Sequence, residues 1–307
     1  MVGAEAVANG QAWRRGAAWG GAMRNQRVGG GGRTVVSPPP RRNCNWRARW
    51  GPRHVCTCAE KNANERVLVL EGDSRVGVQV IRTLRENKKD MAVSATISGL
   101  SDEKRIQRLR SLEIETFQTD KLGAKHASDI LTSCKPDVIV SCISEESDNS
   151  VGSIHPKVEA FVDAAVGSGA RRFVLLSSIG AGSSEQALPG PAKETMKPIM
   201  SDKYIAEKYL AKHSDGTGLQ YVVLRSSPLN DDVDDTYIGH PIVTDSPVAY
   251  GLITVSGLAH LVSQVIGSDR AVGGTFSAVD LRTVFITNPF LRPLEVHETV
   301  PFQAFEL

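Results

Sequence analysis

Between Arg66 and Ser226 the chain alternates short, unbroken apolar runs with longer segments of helical period, and this alternation constrains the fold more than any other feature. Arg66-Val-Leu-Val-Leu70 has the β-branched, uninterrupted character of a strand covered on both faces. Within residues 75–87, Val76, Val80 and Leu84 fall at i, i+4 and i+8, which is one face of a helix. Met91–Ile97 and Glu113–Gln118 read as strands, with a charged helix, Asp102–Leu112, between them. A short helix at His126–Ser133 and a strand at Asp137–Ile143 follow. The next helix, Pro156–Val166, carries Val158, Phe161, Val162 and Val166 on one stripe. Arg172–Ser177 and Gln220–Leu224 are the fifth and sixth strands, with a helix at Ser201–Lys212 between them. Elements at this spacing predict parallel βαβ units with right-handed crossovers, hence an α/β fold with a doubly wound, mainly parallel sheet and helices on both faces.

The rhythm fails in three places. Residues 1–58 hold ten Arg, no Lys and one acid, Glu5, with ten of the 28 Gly and all four Trp. Such a segment cannot bury enough apolar surface to offset its ordering entropy. Arg-rich and acid-poor, it reads as an organelle transit peptide or a disordered leader, although Ser37 is its only serine. Val55-Cys-Thr-Cys-Ala59 resembles a plastid processing site, so the expectation is a chloroplast protein, with the mitochondrion as the alternative, and a working domain at residues 59–307. The second break, Gly180–Pro198, reads as a long loop at the mouth of the fold. The third starts at Pro228: an acidic loop (Asn230–Asp235), a helix (Ser256–Ile266) and strand-like pieces at Thr275–Ala278 and Val284–Thr287 predict a small cap, ending in an extended strap over residues 288–307.

The turn after the first strand should carry the chemistry, because there the backbone and a helix N-terminus can meet a phosphate. It reads Glu71-Gly72-Asp73-Ser74-Arg75-Val76-Gly77. Further pieces follow in order: Asp120 closing the third strand, Cys142-Ile143-Ser144 after the fourth, Arg171-Arg-Phe-Val-Leu-Leu-Ser-Ser178, and Lys203-Tyr-Ile-Ala-Glu-Lys-Tyr-Leu210 leading into Leu219-Gln-Tyr-Val-Val-Leu-Arg225. Together with Asp269-Arg-Ala-Val-Gly-Gly-Thr-Phe276, they make the chain resemble the atypical short-chain dehydrogenase/reductase family, the NmrA-like NAD(P)-binding Rossmann-fold proteins, in a plastid type.

That resemblance implies NADP or NAD as cofactor. Its binding residues would be Gly72, Asp73, Ser74, Arg75, Val76 and Gly77, together with Ser98, Asp120, Cys142, Ile143 and Lys203. The family's turn is Gly-Ala-Thr-Gly-x-x-Gly, so Glu71 and Ser74 stand at the first and second glycines and only Gly77 is kept. Losing a glycine where φ is positive costs roughly 1–2 kcal/mol. A carboxylate about 6 Å from a phosphate costs on the order of 2–3 kcal/mol. Binding is therefore expected to be weak or lost unless the turn rearranges.

Catalysis in the wider family uses a Tyr and a Lys four residues later. Tyr204 and Lys208 have that spacing, but Lys203-x-x-Ala-Glu207 sets a register in which Lys203 is the matched Lys and the Tyr position falls on Ile199. Lys203, Ser178 and Tyr204 are thus the catalytic candidates, with helix surface and a ribose contact for Lys203 as competing roles. The resemblance implies either a Rossmann protein with an eroded glycine turn and little or no dehydrogenase activity, in an organelle assembly, scaffold or regulatory role, or an active NAD(P)H-dependent reductase of a small carbonyl or ene substrate.

The remaining features mostly exclude. The chain's formal charge is +2, the leader's +9, leaving −7 on residues 59–307, so a nucleic-acid stripe is not expected there. The seven His are scattered and no metal set is legible. No run of 18 apolar residues predicts a transmembrane helix. The aromatic and Pro residues of 288–307 suit a strap on the domain itself or on a protein partner.

Overall fold

The computed structural model of the protein describes residues 65–88, 90–98, 103–119, 124–144 and 152–286. The expectations for the leader, Asp102, Asp120 and the 288–307 strap lie outside these residues.

In chain order the elements begin β1 (Arg66–Leu70), α1 (Arg75–Asn87), β2 (Ala92–Ser98), α2 (Glu103–Arg110), β3 (Glu115–Thr119), α3 (Ala124–Cys134) and β4 (Val138–Ser141). They continue with α4 (Ile154–Ser168), β5 (Arg172–Ser178), α5 (Gly190–Ser214), β6 (Gln220–Ser226), β7 (Pro241–Thr244), β8 (Ala249–Tyr250), α6 (Val255–Ile266), β9 (Gly274–Asp280) and β10 (Phe285–Ile286). Eight strands form one sheet in the order β3-β2-β1-β4-β5-β6-β9-β7, parallel throughout except β7, which runs antiparallel to β9. β8 and β10 make a separate antiparallel pair.

Alternate residues of each central strand feed opposite cores. Val67 and Val69, Val138 and Val140, Val174 and Leu176 pack with α1 and α6. Leu68 and Leu70, Ile139, Phe173 and Leu175 pack with α3, α4 and α5. Both faces are covered, which is why the strands read as continuous apolar runs. The doubly wound Rossmann-type expectation is borne out.

Two differences from the sequence reading matter. The segment Gly180–Pro198 is not a loop throughout: Gly182–Ala187 forms a 3-10 turn and α5 already begins at Gly190. Pro191 sits in the first turn, where a missing N–H costs nothing. The C-terminal part is built into the sheet more than over it, since β9 pairs in parallel with β6 and α6 packs on α1. Among the described residues no helix is long and apolar enough to cross a membrane.

Buried arginines brace the layers. Arg172 has no exposed surface and donates to the carbonyls of Val265, Ile266 and Ser268, capping the end of α6 from inside the sheet. Arg225 on β6 grips Glu207 on α5 through Nε (3.0 Å) and Nη2 (2.7 Å), and Ser177 on β5 donates to the same carboxylate at 2.5 Å.

Candidate dinucleotide site

From β1 the chain runs outward to β2 and β3 on one side and to β4, β5 and β6 on the other, so the strand order reverses between β1 and β4. Ligands of doubly wound sheets bind in the crevice outside the carboxyl ends at such a point. The β1–α1 turn forms one wall of it.

The turn is pinned to β2: Gly72 N donates to Thr96 O at 2.8 Å and Glu71 N to Thr96 Oγ1 at 2.9 Å. Glu71 has φ +51, so the backbone strain of the lost glycine sits there. Ser74, at the second glycine position, has an ordinary extended backbone (φ −64, ψ 158), and its hydroxyl caps α1 by accepting from Gly77 N at 3.0 Å. No strain attaches to its replacement. Gly77 is required, because a Cβ there would lie 2.4 Å from Glu71 O and 2.8 Å from Gly72 Cα. Gly72 is equally tight against Ala95 and Ile81.

The carboxylates do not crowd the mouth of the turn as the sequence suggests. Glu71, 3 % exposed, reaches across the crevice, where its Oε2 accepts from Ser144 N at 3.1 Å and its Oε1 lies 3.5 Å from Lys157 Nζ. Asp73, 4 % exposed, turns the other way and accepts from Ser98 N at the end of β2, at 3.2 and 3.3 Å. Arg75 opens α1 and is held by the acidic loop: Nη2 lies 2.6 Å from Asp235 Oδ1, and Nη1 contacts Asp231. Hydrogen bonding to Asp235 first and to Asp231 second raises the Arg75 pKa above its ordinary value. The acidic loop is therefore folded onto the start of α1.

The remaining predicted residues divide. Val76 packs against the core on the α1 and α6 face. Cys142 and Ile143 are buried in opposite cores, so only their backbones could face a ligand. Burial, and then the nearby Glu71 charge, raises the Cys142 thiol pKa. Lys203 Nζ donates to Ser178 Oγ at 2.7 Å across the carboxyl end of β5. Ile199, one helical turn before Lys203, is half-buried against the apolar core and carries no proton donor. Tyr204 lies a quarter turn from Lys203, with its ring against Gly182 and Lys208 Nζ 4.9 Å above it. The Tyr204–Lys208 spacing is therefore a cation–π pair, and Tyr204 is 37 % exposed. Asp202 was missed: it caps α4, accepting from Ile154 N at 2.9 Å and from the His155 ring.

A family profile for NAD(P)H-binding domains matches residues 72–269. The chain belongs to the NAD(P)H-binding family. No curated protein matches it. Among solved structures it is similar to ChuY, an anaerobillin reductase of Escherichia coli, at 18 % identity, TM-score 0.58, over 74 % of this chain and 99 % of that one. It is also similar to the oxidoreductase YlbE of Lactococcus lactis, at 16 % identity, TM-score 0.55, over 70 % and 90 % of the two chains. A short-chain dehydrogenase/reductase of Veillonella parvula in complex with NADP matches at 12 % identity, TM-score 0.55, over 74 % and 99 %. At these identities the likeness is one of fold, and it agrees with the Rossmann-type expectation.

The family's cofactor is NAD or NADP, and the backbone of the turn fits it. The close approach of Gly77 to the backbone of the turn, which a Cβ would block, is kept, and the buried Ser141 hydroxyl at the end of β4 has no hydrogen-bond partner. The turn of Arg75–Gly77 would hold the pyrophosphate, the Asp73–Ser98 corner the adenosine, and Lys203 with Ser178 the nicotinamide side. When bound, the group supplies hydride transfer.

Proposed function

We propose that the protein is an NAD(P)-binding Rossmann protein with little or no dehydrogenase activity, acting as an assembly, scaffold or regulatory factor in an organelle, the chloroplast before the mitochondrion. The observation that carries the loss of catalysis is Ile199. On the helix face that presents Lys203 to Ser178, the position aligned with the proton donor is apolar and half-buried against the core. Tyr204 cannot replace it while its ring lies on Gly182.

Support for a partner role comes from the acidic domain and from four large side chains, Tyr237, Ile238, Leu252 and Leu281, exposed at 37–46 % in its C-terminal part. Support for import comes from the composition of residues 1–58.

A second reading keeps an active reductase of a small carbonyl or ene substrate, and the Lys203–Ser178 contact favours it. Calorimetric titration of the purified chain with NADH and NADPH, followed by turnover against a carbonyl and enone panel, separates the two. Binding without turnover is expected. A kcat of about 1 s⁻¹ or more, the low end of ordinary enzymes, would overturn the proposal. Processing of the full chain near Ala59 by isolated chloroplasts, and not by mitochondria, tests the location.

A further inference from the structure

The exposed side chains Tyr237, Ile238, Leu252 and Leu281 are gathered into one patch by the backbone beneath them. Leu281 N donates to His240 O at 2.9 Å, and Asp280 N to Leu252 O at 2.8 Å. Arg282 supplies the charge of the patch. Its Nη1 donates to the Tyr237 hydroxyl at 3.4 Å and its Nη2 to His240 Nε2 at 3.0 Å. A ring nitrogen that accepts is unprotonated, so the guanidinium rests on two neutral groups. Asp280, the acid beside it, is turned inward at 6 % exposure and accepts from the His240 and Arg282 amides at 2.8 Å each. A guanidinium placed this way, with apolar surface around it, is matched by a carboxylate flanked by apolar side chains.

The chain itself carries such a segment. β10 ends at Ile286, four positions past Arg282 and so within about 14 Å of it along the backbone. Residues 288–307 then hold Glu295, Glu298 and Glu306 against one cation, Arg292, with Leu291, Leu294, Phe302 and Phe305 among them. Pro289, Pro293 and Pro301 offer no backbone N–H, which suits contact through side chains. We infer that residues 288–307 dock on this patch of their own chain, bringing a carboxylate to Arg282 and apolar side chains to Tyr237, Ile238, Leu252 and Leu281. The inference rests on reading the patch as a docking surface. The short tether makes the contact intramolecular, at an effective concentration in the millimolar range. A free partner therefore reaches the patch only by displacing the segment, and the surface that serves assembly is guarded by the chain that bears it.

The test is brief chymotrypsin digestion of the full folded chain, with the cuts after Phe302 and Phe305 read by mass spectrometry. When closing is fast relative to cleavage, the rate tracks the population of undocked segment. Ile238→Asp, which puts a charge into the apolar contact, should speed these cuts at least about tenfold. Arg282→Glu should speed them a few-fold, as expected of an exposed pair. Combining Arg282→Glu with Glu295→Lys/Glu298→Lys/Glu306→Lys should bring the rate back toward wild type, which a general loosening of the fold would not do. The triple substitution alone should also speed the cuts, and it serves if a patch variant does not fold. Equal rates in wild type and folded variants would overturn the inference and leave the assembly reading standing, since that reading fails on turnover and not on this assay. Rates that fall as the chain's concentration rises would assign the segment to a second copy and overturn the inference as well.

Discussion

Releasing Arg75 from the acidic loop should strengthen dinucleotide binding. A pyrophosphate at the start of α1 must compete with Asp231 and Asp235 for the same guanidinium, and the double substitution Asp231→Asn/Asp235→Asn removes both competitors. The side chains of Arg75, Asp235 and Asp231 are 32 %, 45 % and 75 % exposed, so water weakens each pair to the surface range of about 0–1 kcal/mol. The Asp235 pair belongs at the upper end, because Nε at 3.2 Å and Nη2 at 2.6 Å both reach Oδ1. Together the two contacts amount to about 1–2 kcal/mol, or roughly 5- to 30-fold in affinity. The loop should not leave with its charges, since the Ser256 hydroxyl donates to the Asp235 carbonyl and Gln79 Nε2 donates to that hydroxyl at 2.9 Å. Calorimetric titration with NADH at low and high ionic strength measures the gain, which should shrink as salt screens the wild-type pairs. Unchanged or weaker binding by a variant with wild-type melting would refute the competition argument.

Three further outcomes follow from the packing. Arg225→Met leaves Glu207 buried without its bidentate partner and should cost about 3–5 kcal/mol, lowering the thermal midpoint by about 6–20 °C in a melting scan. Gly77→Ala drives a Cβ into the Glu71 carbonyl and should destabilise by about 1–3 kcal/mol while weakening dinucleotide binding; wild-type behaviour in both assays would contradict the close approach. Burial pushes the Cys134 thiol from 9.0 up to about 11, so in the folded state it should resist iodoacetamide at pH 8 and react only as pH nears 11, with Cys142 slower still. Because the folded state holds the Cys134 proton longer than the unfolded chain, that contribution to stability is complete below pH 9.0 and is lost as pH rises toward 11. Peptide-resolved alkylation against pH reads the first effect and denaturant midpoints the second.

The central sheet was legible because its signals are local. The unbroken run at 66–70 and the i, i+4, i+8 stripe at 75–87 coincide with β1 and α1 to the residue. The start of α5 was not, because Pro191 and Pro198 look like breakers when their helix position is unknown. β7 and β8 are two to four residues long and gain their pairing from β9 and β10, far along the chain. At the site, the eroded glycines and the Ile199 register could be read directly. The directions of the carboxylates could not. Glu71 finds Lys157 86 positions away, and Arg75 finds Asp235 160 positions away. Arg172 and Arg225 stand at the ends of their apolar strand runs, where cations are commonly solvated, so their burial was not legible either.

The Glu71 bridge bears on how such a turn could change over time. Replacing Glu71 by glycine would relieve the left-handed strain, yet it would also take an acceptor from Ser144 N and the carboxylate from Lys157. Glycine at that one position therefore exchanges backbone strain for the loss of the bridge, so positions 71 and 157 are coupled and a change at one alters the effect of a change at the other.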